Sequence, residues 1–162
     1  MTLMFNQDPF VQFKIALERA AAHDVDTTPV ALATADADGR PSVRIVLLRG
    51  VDERGFVFYT NYRSRKGQEL DANPYAALCF HWPTLEEQIR IEGAITRVAP
   101  AESDTYFAGR PRESQLGAWA SAQSEILESR DTFDAQYAAT EARFAGQPVP
   151  RPPHWGGYRV DP

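Results

Sequence analysis

The chain has 162 residues, of which 43% are hydrophobic and 24% charged, and this composition predicts one soluble globular domain, residues 1–162, with a sizeable core. Its formal net charge of −5 disfavours general nucleic-acid binding, and no apolar run approaches the roughly 20 residues of a membrane span. Cys79 is the only cysteine and the three histidines lie far apart, so we expect no disulfide, no metal site and a location in the reducing cytoplasm.

The first part of the chain predicts a helix and then an antiparallel meander. Asp8 can cap a helix and Pro9 suits its first position, so with apolar residues at helical spacing behind them we expect a helix over about residues 8–23. Asp38-Gly39 is a strong hairpin turn, and runs rich in β-branched and apolar residues flank it. The strands expected here span residues 30–35, 42–48 and 56–60.

The second part of the chain predicts a short helix, two strands, three helices and a last strand. The short helix begins after Ser64 and ends before Asn73-Pro74, and a bulge is expected near Gly93. The other elements span residues 75–82, 88–98, 101–108, 114–120, 130–144 and 155–160. This order predicts a mainly β protein (α+β) in which peripheral helices surround a closed or partly closed antiparallel barrel.

The densest basic cluster of the chain lies at the start of the predicted short helix. Arg65 and Lys66 directly follow Ser64, and a helix N-terminus adds unpaired N–H groups and a positive dipole end. Because the sequence has no Gly-rich loop between a strand and a helix, the phosphate of a nucleotide-like cofactor would have to bind at such a site. The alternative interpretation is a solvated basic face.

A set of short segments is specific in its order and spacing. They are residues 44–49, 55–61, 64–67, 73–74, 88–93, 106–107, 110–111, 114–119, 123–124 and 155–158. Together they resemble the signature of the pyridoxine 5'-phosphate oxidase family, and the resemblance covers nearly the whole chain from about Val30 onward. It implies an FMN-binding split β-barrel, antiparallel and Greek-key-like, that works as a homodimer with FMN at the interface.

The resemblance also implies roles for individual residues. Beside the flavin and its ribityl chain it places Arg44, Ile45, Val46, Leu47, Leu48, Arg49, Tyr59 and Thr60. Arg65 and Lys66 would hold the FMN phosphate, and Gln88 would hydrogen-bond the flavin. Gln123 and Ser124 would reach the flavin from the partner subunit. The positions that match substrate-binding residues are Arg49, Tyr106, Arg110 and Ser114.

Several of these residues also have purely structural interpretations. Gln88 can end a strand at a sheet edge, and Tyr106 at helical spacing can be a core residue. Strict alternation puts Arg44 and Arg49 on opposite faces of their strand. Both can serve one site only if the strand bends, or if Arg49 lies beyond its end near Gly50.

Two features depart from the family pattern. Arg49 stands where the family usually has lysine, and a guanidinium is not equivalent to an ammonium in phosphate recognition. The family also continues after Trp-Gly-Gly into Glu-Phe-Trp-Gln-Gly and Arg-Leu-His-Asp-Arg, and this C-terminal segment is absent from a sequence that ends at Pro162. We expect phosphate binding to survive without that segment, whereas oxidase activity does not follow from phosphate binding alone.

The activity that the resemblance implies is FMN-dependent oxidation of pyridoxine or pyridoxamine 5'-phosphate to pyridoxal 5'-phosphate. In the family, the substrate's C4' hydride passes to flavin N5 and O2 reoxidises the flavin, releasing H2O2. The expected partners are a phosphorylated B6 vitamer and a second copy of the chain, and no catalytic residue is assigned. The alternatives are a related flavin oxidoreductase with another substrate, or a non-catalytic protein that binds FMN or pyridoxal phosphate.

Overall fold

In the computed structural model of the chain, which describes residues 8–121, 124 and 129–162, six antiparallel strands close into a barrel. The strands are β1 (Pro29–Ala35), β2 (Pro41–Asp52), β3 (Gly55–Asn61), β4 (Tyr75–Trp82), β5 (Glu87–Arg97) and β6 (Trp155–Asp161). Their order around the barrel is β1-β2-β3-β6-β5-β4, and β4 pairs back onto β1 to close it. The first three strands and β4 are therefore arranged as a Greek key, because β4 lies beside β1 at the far side of the meander.

The described helices surround this barrel. They are α1 (Pro9–Ala21), α2 (Arg65–Ala72), α3 (Pro100–Ala108), α4 (Arg112–Ala120) and α5 (Arg130–Arg143). The predicted mainly β architecture, with an antiparallel Greek-key-like barrel and peripheral helices, is confirmed. Within the described ranges no helix is both long enough and apolar enough to cross a lipid bilayer.

The bulge lies at a different place from the one predicted. The pairing of β4 with β5 is unbroken from Tyr75↔Ala94 to Trp82↔Glu87, so the expected bulge near Gly93 is wrong. Gly93 serves close approach instead, because a Cβ there would lie 2.0 Å from the backbone oxygen of Asp161. The register shift occurs in β2, between Leu48 and Gly50.

The start of α2 is fixed by local contacts directly after β3. The Ser64 hydroxyl accepts a hydrogen bond from the Gly67 N–H at 3.4 Å, as expected of an N-cap residue. A Cβ at position 67 would lie 2.1 Å from the backbone oxygen of Tyr62, so only glycine allows the chain to turn this tightly. The helix thus begins at Arg65 and presents its N-terminus beside the end of β3.

Two apolar clusters form the core. The first fills the barrel and is closed by α1, whose Phe13 ring lies 4.9 Å from that of Phe56 and 5.1 Å from that of Phe80. The second lies outside the barrel and is built from Phe107, Leu116, Phe144, Val149 and Trp155. Because Trp155 begins β6, this second cluster holds α3 and α4 against the barrel wall beside β3.

Candidate functional site

A cavity of about 440 Å3 lies between the barrel wall and the helices α3 and α4. Its lining residues come from β2, β3, the start of α2, both of those helices and the first residue of β6. They are Ile45, Val46, Leu47, Arg49, Tyr59, Thr60, Asn61, Lys66, Tyr106, Arg110, Ser114, Gly117, Ala118, Ser121 and Trp155. The cavity therefore brings together most of the residues that the sequence predicted for cofactor and substrate.

One cationic group of the cavity belongs to Lys66 at the start of α2. Its side chain is 8% exposed, and the ammonium donates to Thr60 Oγ1 and Ser64 Oγ, each at 3.2 Å. Burial lowers the pKa of Lys66, and the nearby Arg44 guanidinium acts in the same direction, while Glu69 opposes both. A buried ammonium beside a helix N-terminus is suited to an anion that enters from the cavity.

Behind Lys66, Arg44 and Arg65 converge on one carboxylate. Glu69 of α2 is 5% exposed, and it accepts hydrogen bonds from Arg44 Nη2 at 3.1 Å and from Arg65 Nε at 2.8 Å. Neither arginine lines the cavity itself. Arg65 was predicted to hold the FMN phosphate and Arg44 to lie beside the flavin; both stay predictions, and in this structure the two arginines meet at Glu69.

Three aromatic rings form a stack along one wall of the cavity. Tyr59 of β3 lies 3.9 Å from Tyr106 of α3, ring centroid to ring centroid, with the planes 7° from parallel. Trp155 continues the stack at 5.5 Å from Tyr59 and 11° from parallel. The stack gives the cavity a rigid apolar wall, and burial raises the pKa of Tyr59 so that its phenol stays protonated.

A second cationic group consists of Arg49 and Arg110. The Arg110 guanidinium lies 4.6 Å above the Trp155 ring, and its buried Nη1 has no hydrogen-bond partner among the described residues. Burial lowers the pKa of Arg110; the Tyr106 phenol opposes this effect, and the charge of Arg49, which lines the same cavity, adds to it. A buried N–H donor without a partner is costly, so an anionic ligand would relieve it.

Two arginines of β2 have different surroundings because they lie on opposite faces of the strand. Arg44 lies on the inner face with Val46, where it reaches Glu69. Arg49 falls between the paired residues Leu48 and Gly50 and is exposed toward the cavity. The two arginines therefore remain on opposite sides of the strand, as alternation predicted, and each joins a different cationic group.

Besides Arg44 and Arg65, three described residues of the prediction lie outside the cavity lining. Leu48 packs against the barrel core, because the inner face of β2 is apolar at this level. Gln88 lines a separate cavity of about 620 Å3 between α1 and β5, on another part of the barrel. Ser124 is exposed with a φ of 69°, and Gln123 lies outside the described residues.

Several residues of the site were not predicted individually. Asn61, Gly117, Ala118, Ser121 and Trp155 line the cavity, and Glu69 stands behind it. Glu69 could have been found from its spacing, since Arg65 and Glu69 are four residues apart on one helix. Trp155 had no such local signal, because it reaches the cavity through its pairing with Asn61 of a distant strand.

Comparison with known sequences identifies the family. Residues 18–144 match the family described as pyridoxamine 5'-phosphate oxidase. A pyridoxine/pyridoxamine 5'-phosphate oxidase of Anaeromyxobacter dehalogenans is 58% identical over 156 residues, which are 96% of this chain and 79% of the relative. The protein of the same name from Myxococcus xanthus is 55% identical over 161 residues, or 99% of this chain and 78% of that one.

Solved structures agree with this match. PhzG from Burkholderia lata 383, in complex with tetrahydrophenazine-1-carboxylic acid, superimposes with a TM-score of 0.91 at 34% identity, covering 97% of this chain and 77% of that one. A pyridoxamine 5'-phosphate oxidase-related, FMN-binding protein from Nostoc punctiforme PCC 73102 has a TM-score of 0.74 at 21% identity, covers 98% of this chain and 83% of that one, and shares the fold. The chain thus belongs to the pyridoxamine 5'-phosphate oxidase family and has its split-barrel fold.

Proposed function

We propose that the chain binds FMN in the cavity between β2, β3 and α4 and oxidises pyridoxine or pyridoxamine 5'-phosphate to pyridoxal 5'-phosphate. The observation that carries this proposal is the pairing of two cationic groups in one cavity. Lys66 belongs to the first group, and Arg49 with Arg110 forms the second. A flavin mononucleotide and a phosphorylated pyridine substrate together present two phosphates, which is what two such groups would bind.

The residues around Lys66 fit the phosphate end of FMN. The ammonium is held by Thr60 and Ser64 at a helix N-terminus, and Arg44 and Arg65 add positive charge directly behind it. Hydrogen bonds from such cationic donors to a phosphate are stronger than those between neutral groups. The exposed side chains of Ile45 and Leu47, on the outer face of β2, offer an apolar surface next to this end of the cavity.

The residues around Arg110 fit a phosphorylated substrate. The unpartnered Nη1 of Arg110 and the hydroxyl of Ser114 are donors that a substrate phosphate would use. The stacked ring of Tyr106 forms the adjacent wall, on which a pyridine ring can rest. These side chains would hold the substrate in one orientation, which is a main contribution of a protein to cofactor chemistry.

The side chains named here would bind and orient the cofactor and the substrate, and none of them is assigned a redox role. Bound FMN would supply the two-electron redox chemistry, with O2 as final acceptor and H2O2 as product. Arg49 and Arg110 would fix the substrate phosphate, and the aromatic wall would keep water from one side of the reacting ring. We assign no side chain as a general base.

The same proposal includes a homodimer in which the cofactor lies at the interface. Val43 and Ile45, on the outer face of β2, are 69% and 64% exposed, which is unusual for neighbouring large apolar residues of a barrel wall. Ile45 also lines the cavity, so a second copy packed on this face would cover the cofactor. Gln88, which lies away from its own chain's cavity, could then contact the flavin of the partner.

Two measurements on purified protein test the proposal. The first is flavin absorbance after addition of FMN and removal of unbound cofactor, and the second is O2 consumption with pyridoxamine 5'-phosphate. We expect retained flavin and coupled formation of pyridoxal 5'-phosphate and H2O2. Protein that stays colourless contradicts the cofactor assignment, whereas retained FMN without turnover would indicate a binding protein.

A second candidate function is oxidation of a partly reduced, dihydroaromatic carboxylate by the same flavin. It is favoured by the structural similarity to PhzG, whose complex contains tetrahydrophenazine-1-carboxylic acid, and by Arg49 in place of the usual lysine. A planar guanidinium can bind a carboxylate through two parallel hydrogen bonds. Turnover of a dihydroaromatic carboxylate, without turnover of either B6 phosphate, would select this candidate.

A further inference from the structure

The Glu69 carboxylate accepts hydrogen bonds from four side chains, which lie on three different elements. Besides Arg44 and Arg65, its carboxylate accepts hydrogen bonds from Ser42 Oγ at 2.6 Å and from Thr34 Oγ1. These donors come from β1, β2 and α2. One carboxylate therefore connects two strands of the barrel to the helix that carries Lys66.

The hydroxyl groups also bond to the arginine. Arg44 Nη2 donates to Ser42 Oγ, and its Nη1 donates to Thr34 Oγ1 and, at 3.3 Å, to the backbone oxygen of Leu32. Both ends of the Arg44 guanidinium are thus fixed before any ligand arrives. A charge that is fixed in this way acts on a bound anion without the entropy cost of ordering a long side chain.

The charges in this region suit a phosphate dianion. Arg44, Arg65 and Lys66, here called the phosphate cradle, are three cations, and Glu69 is the one carboxylate in contact with them among the described residues. Among these four described side chains the cations outnumber the carboxylate, which suits a doubly charged phosphate monoester. Without the carboxylate, three cations would repel one another in a partly buried place.

We infer that Glu69 is the positioning residue of the phosphate cradle, holding Arg44 and Arg65 in place and thereby giving the site its preference for phosphorylated over unphosphorylated flavin. This inference rests on the proposed function. Glu69 itself does not line the cavity, so it acts through the arginines and touches neither cofactor nor substrate. Burial raises the pKa of Glu69, but the hydrogen bonds that it accepts outweigh burial and lower the pKa to about 2, so the carboxylate is ionised at neutral pH.

The test compares the affinities of FMN and riboflavin, which differ only in the phosphate. In Glu69→Gln we expect FMN affinity to fall by roughly tenfold, the size of a lost charged hydrogen bond, and riboflavin affinity to stay within about twofold. The matched control is Asp71→Asn, which removes the ion pair to Arg97 from the same helix at 2.8 Å. It should leave the FMN to riboflavin affinity ratio unchanged.

A pH series gives a readout that a merely structural role would not move. Glu69 opposes the effects of burial and of Arg44 on Lys66, so in Glu69→Gln the pKa of Lys66 should fall further. The alkaline loss of FMN affinity should then begin at lower pH than in the wild type, and riboflavin affinity should show no such change.

A milder variant covers the case in which Glu69→Gln does not fold. Ser42→Ala removes the hydroxyl that joins Arg44 to Glu69 and should weaken FMN binding by roughly threefold with riboflavin unaffected. Equal losses for FMN and riboflavin, or an unchanged ratio, in the variant that folds would overturn the inference. Wild-type protein that binds no FMN would instead reject the proposed function on which the inference rests.

Discussion

The rings of Tyr59 and Tyr106 are stacked face to face, with centroids 3.9 Å apart and planes 7° from parallel. Tyr59 belongs to the barrel wall and Tyr106 to α3, so this contact joins the strand that lines the proposed cofactor site to the helix that lines the proposed substrate site. The relation predicts that stability and substrate binding depend on the same pair of rings.

Two substitutions at Tyr106 distinguish the contribution of its aromatic ring from that of its hydroxyl. Tyr106→Phe keeps the stack and should change the free energy of unfolding little, whereas Tyr106→Ala should cost about 1–3 kcal/mol. Tyr106→Ala should raise the KM for pyridoxamine 5'-phosphate because it removes the wall beside the substrate ring, and Tyr106→Phe should change it less. Thermal denaturation and steady-state kinetics measure the two effects. Equal stability of both variants would contradict the role of the stack.

Arg110 and Lys66 should affect different ligands. Arg110→Ala is expected to raise the substrate KM by at least roughly tenfold and to leave FMN affinity nearly unchanged, because a charged hydrogen-bond donor is lost only at the substrate end. Lys66→Gln should do the reverse and weaken FMN binding. Flavin titration and kinetics at saturating FMN distinguish them. If each variant impaired both ligands equally, the two cationic groups would not be separate sites.

Arg49→Lys tests the departure from the family pattern. A lysine is a point charge and binds a phosphate well, but it lacks the planar fork that pairs with a carboxylate. We expect the variant to shift the ratio of kcat/KM values toward phosphorylated substrates by several-fold. Arg54→Lys, on the exposed β2–β3 turn, is the control and should leave this ratio unchanged.

Two glycines should respond oppositely to alanine. In Gly67→Ala the new Cβ would meet the backbone of Tyr62, which cannot move without shifting the end of β3, so we expect a loss of about 1–3 kcal/mol. At Gly117 in α4 a new Cβ would meet no other atom within 4 Å, so Gly117→Ala should stabilise the helix by about 0.5–1 kcal/mol. Chemical denaturation measures both changes. A neutral Gly67→Ala would contradict the close contact.

Acid should remove the contribution of Glu69 to stability. Burial by itself raises the pKa of this carboxyl, but hydrogen bonds from Ser42, Thr34 and two arginines outweigh burial and lower the pKa to about 2, below its ordinary value of 4.5. A depressed pKa stabilises the folded state above pH 4.5, and this stabilisation is lost as the pH falls toward 2. The difference in Tm between wild type and Glu69→Gln should therefore be largest near neutral pH. It should decrease steadily as the pH falls from 4.5 to 2. A constant difference over that range would contradict the assignment.

Local signals in the sequence predicted most elements well. The cap at Asp8, the turn at Asp38-Gly39 and the cap at Ser64 each involve residues that contact their near neighbours, so their effect can be read along the chain. The position of the β2 bulge could not be read in this way. It depends on how β2 pairs with β3 while the barrel closes, and Gly93, which suggested a bulge, is instead needed for the approach of β6.

The sequence by itself determined the order of the elements, the cation-rich start of α2 and, through its spaced segments, the family. Only the tertiary structure decided that Arg44 and Arg49 serve different cationic groups, that Trp155 completes the aromatic wall and that Gln88 lies away from its own chain's cavity. The physical reason is distance along the chain. These relations arise from strand pairing and packing between residues that lie far apart in sequence, such as Asn61 and Trp155, which no local pattern encodes.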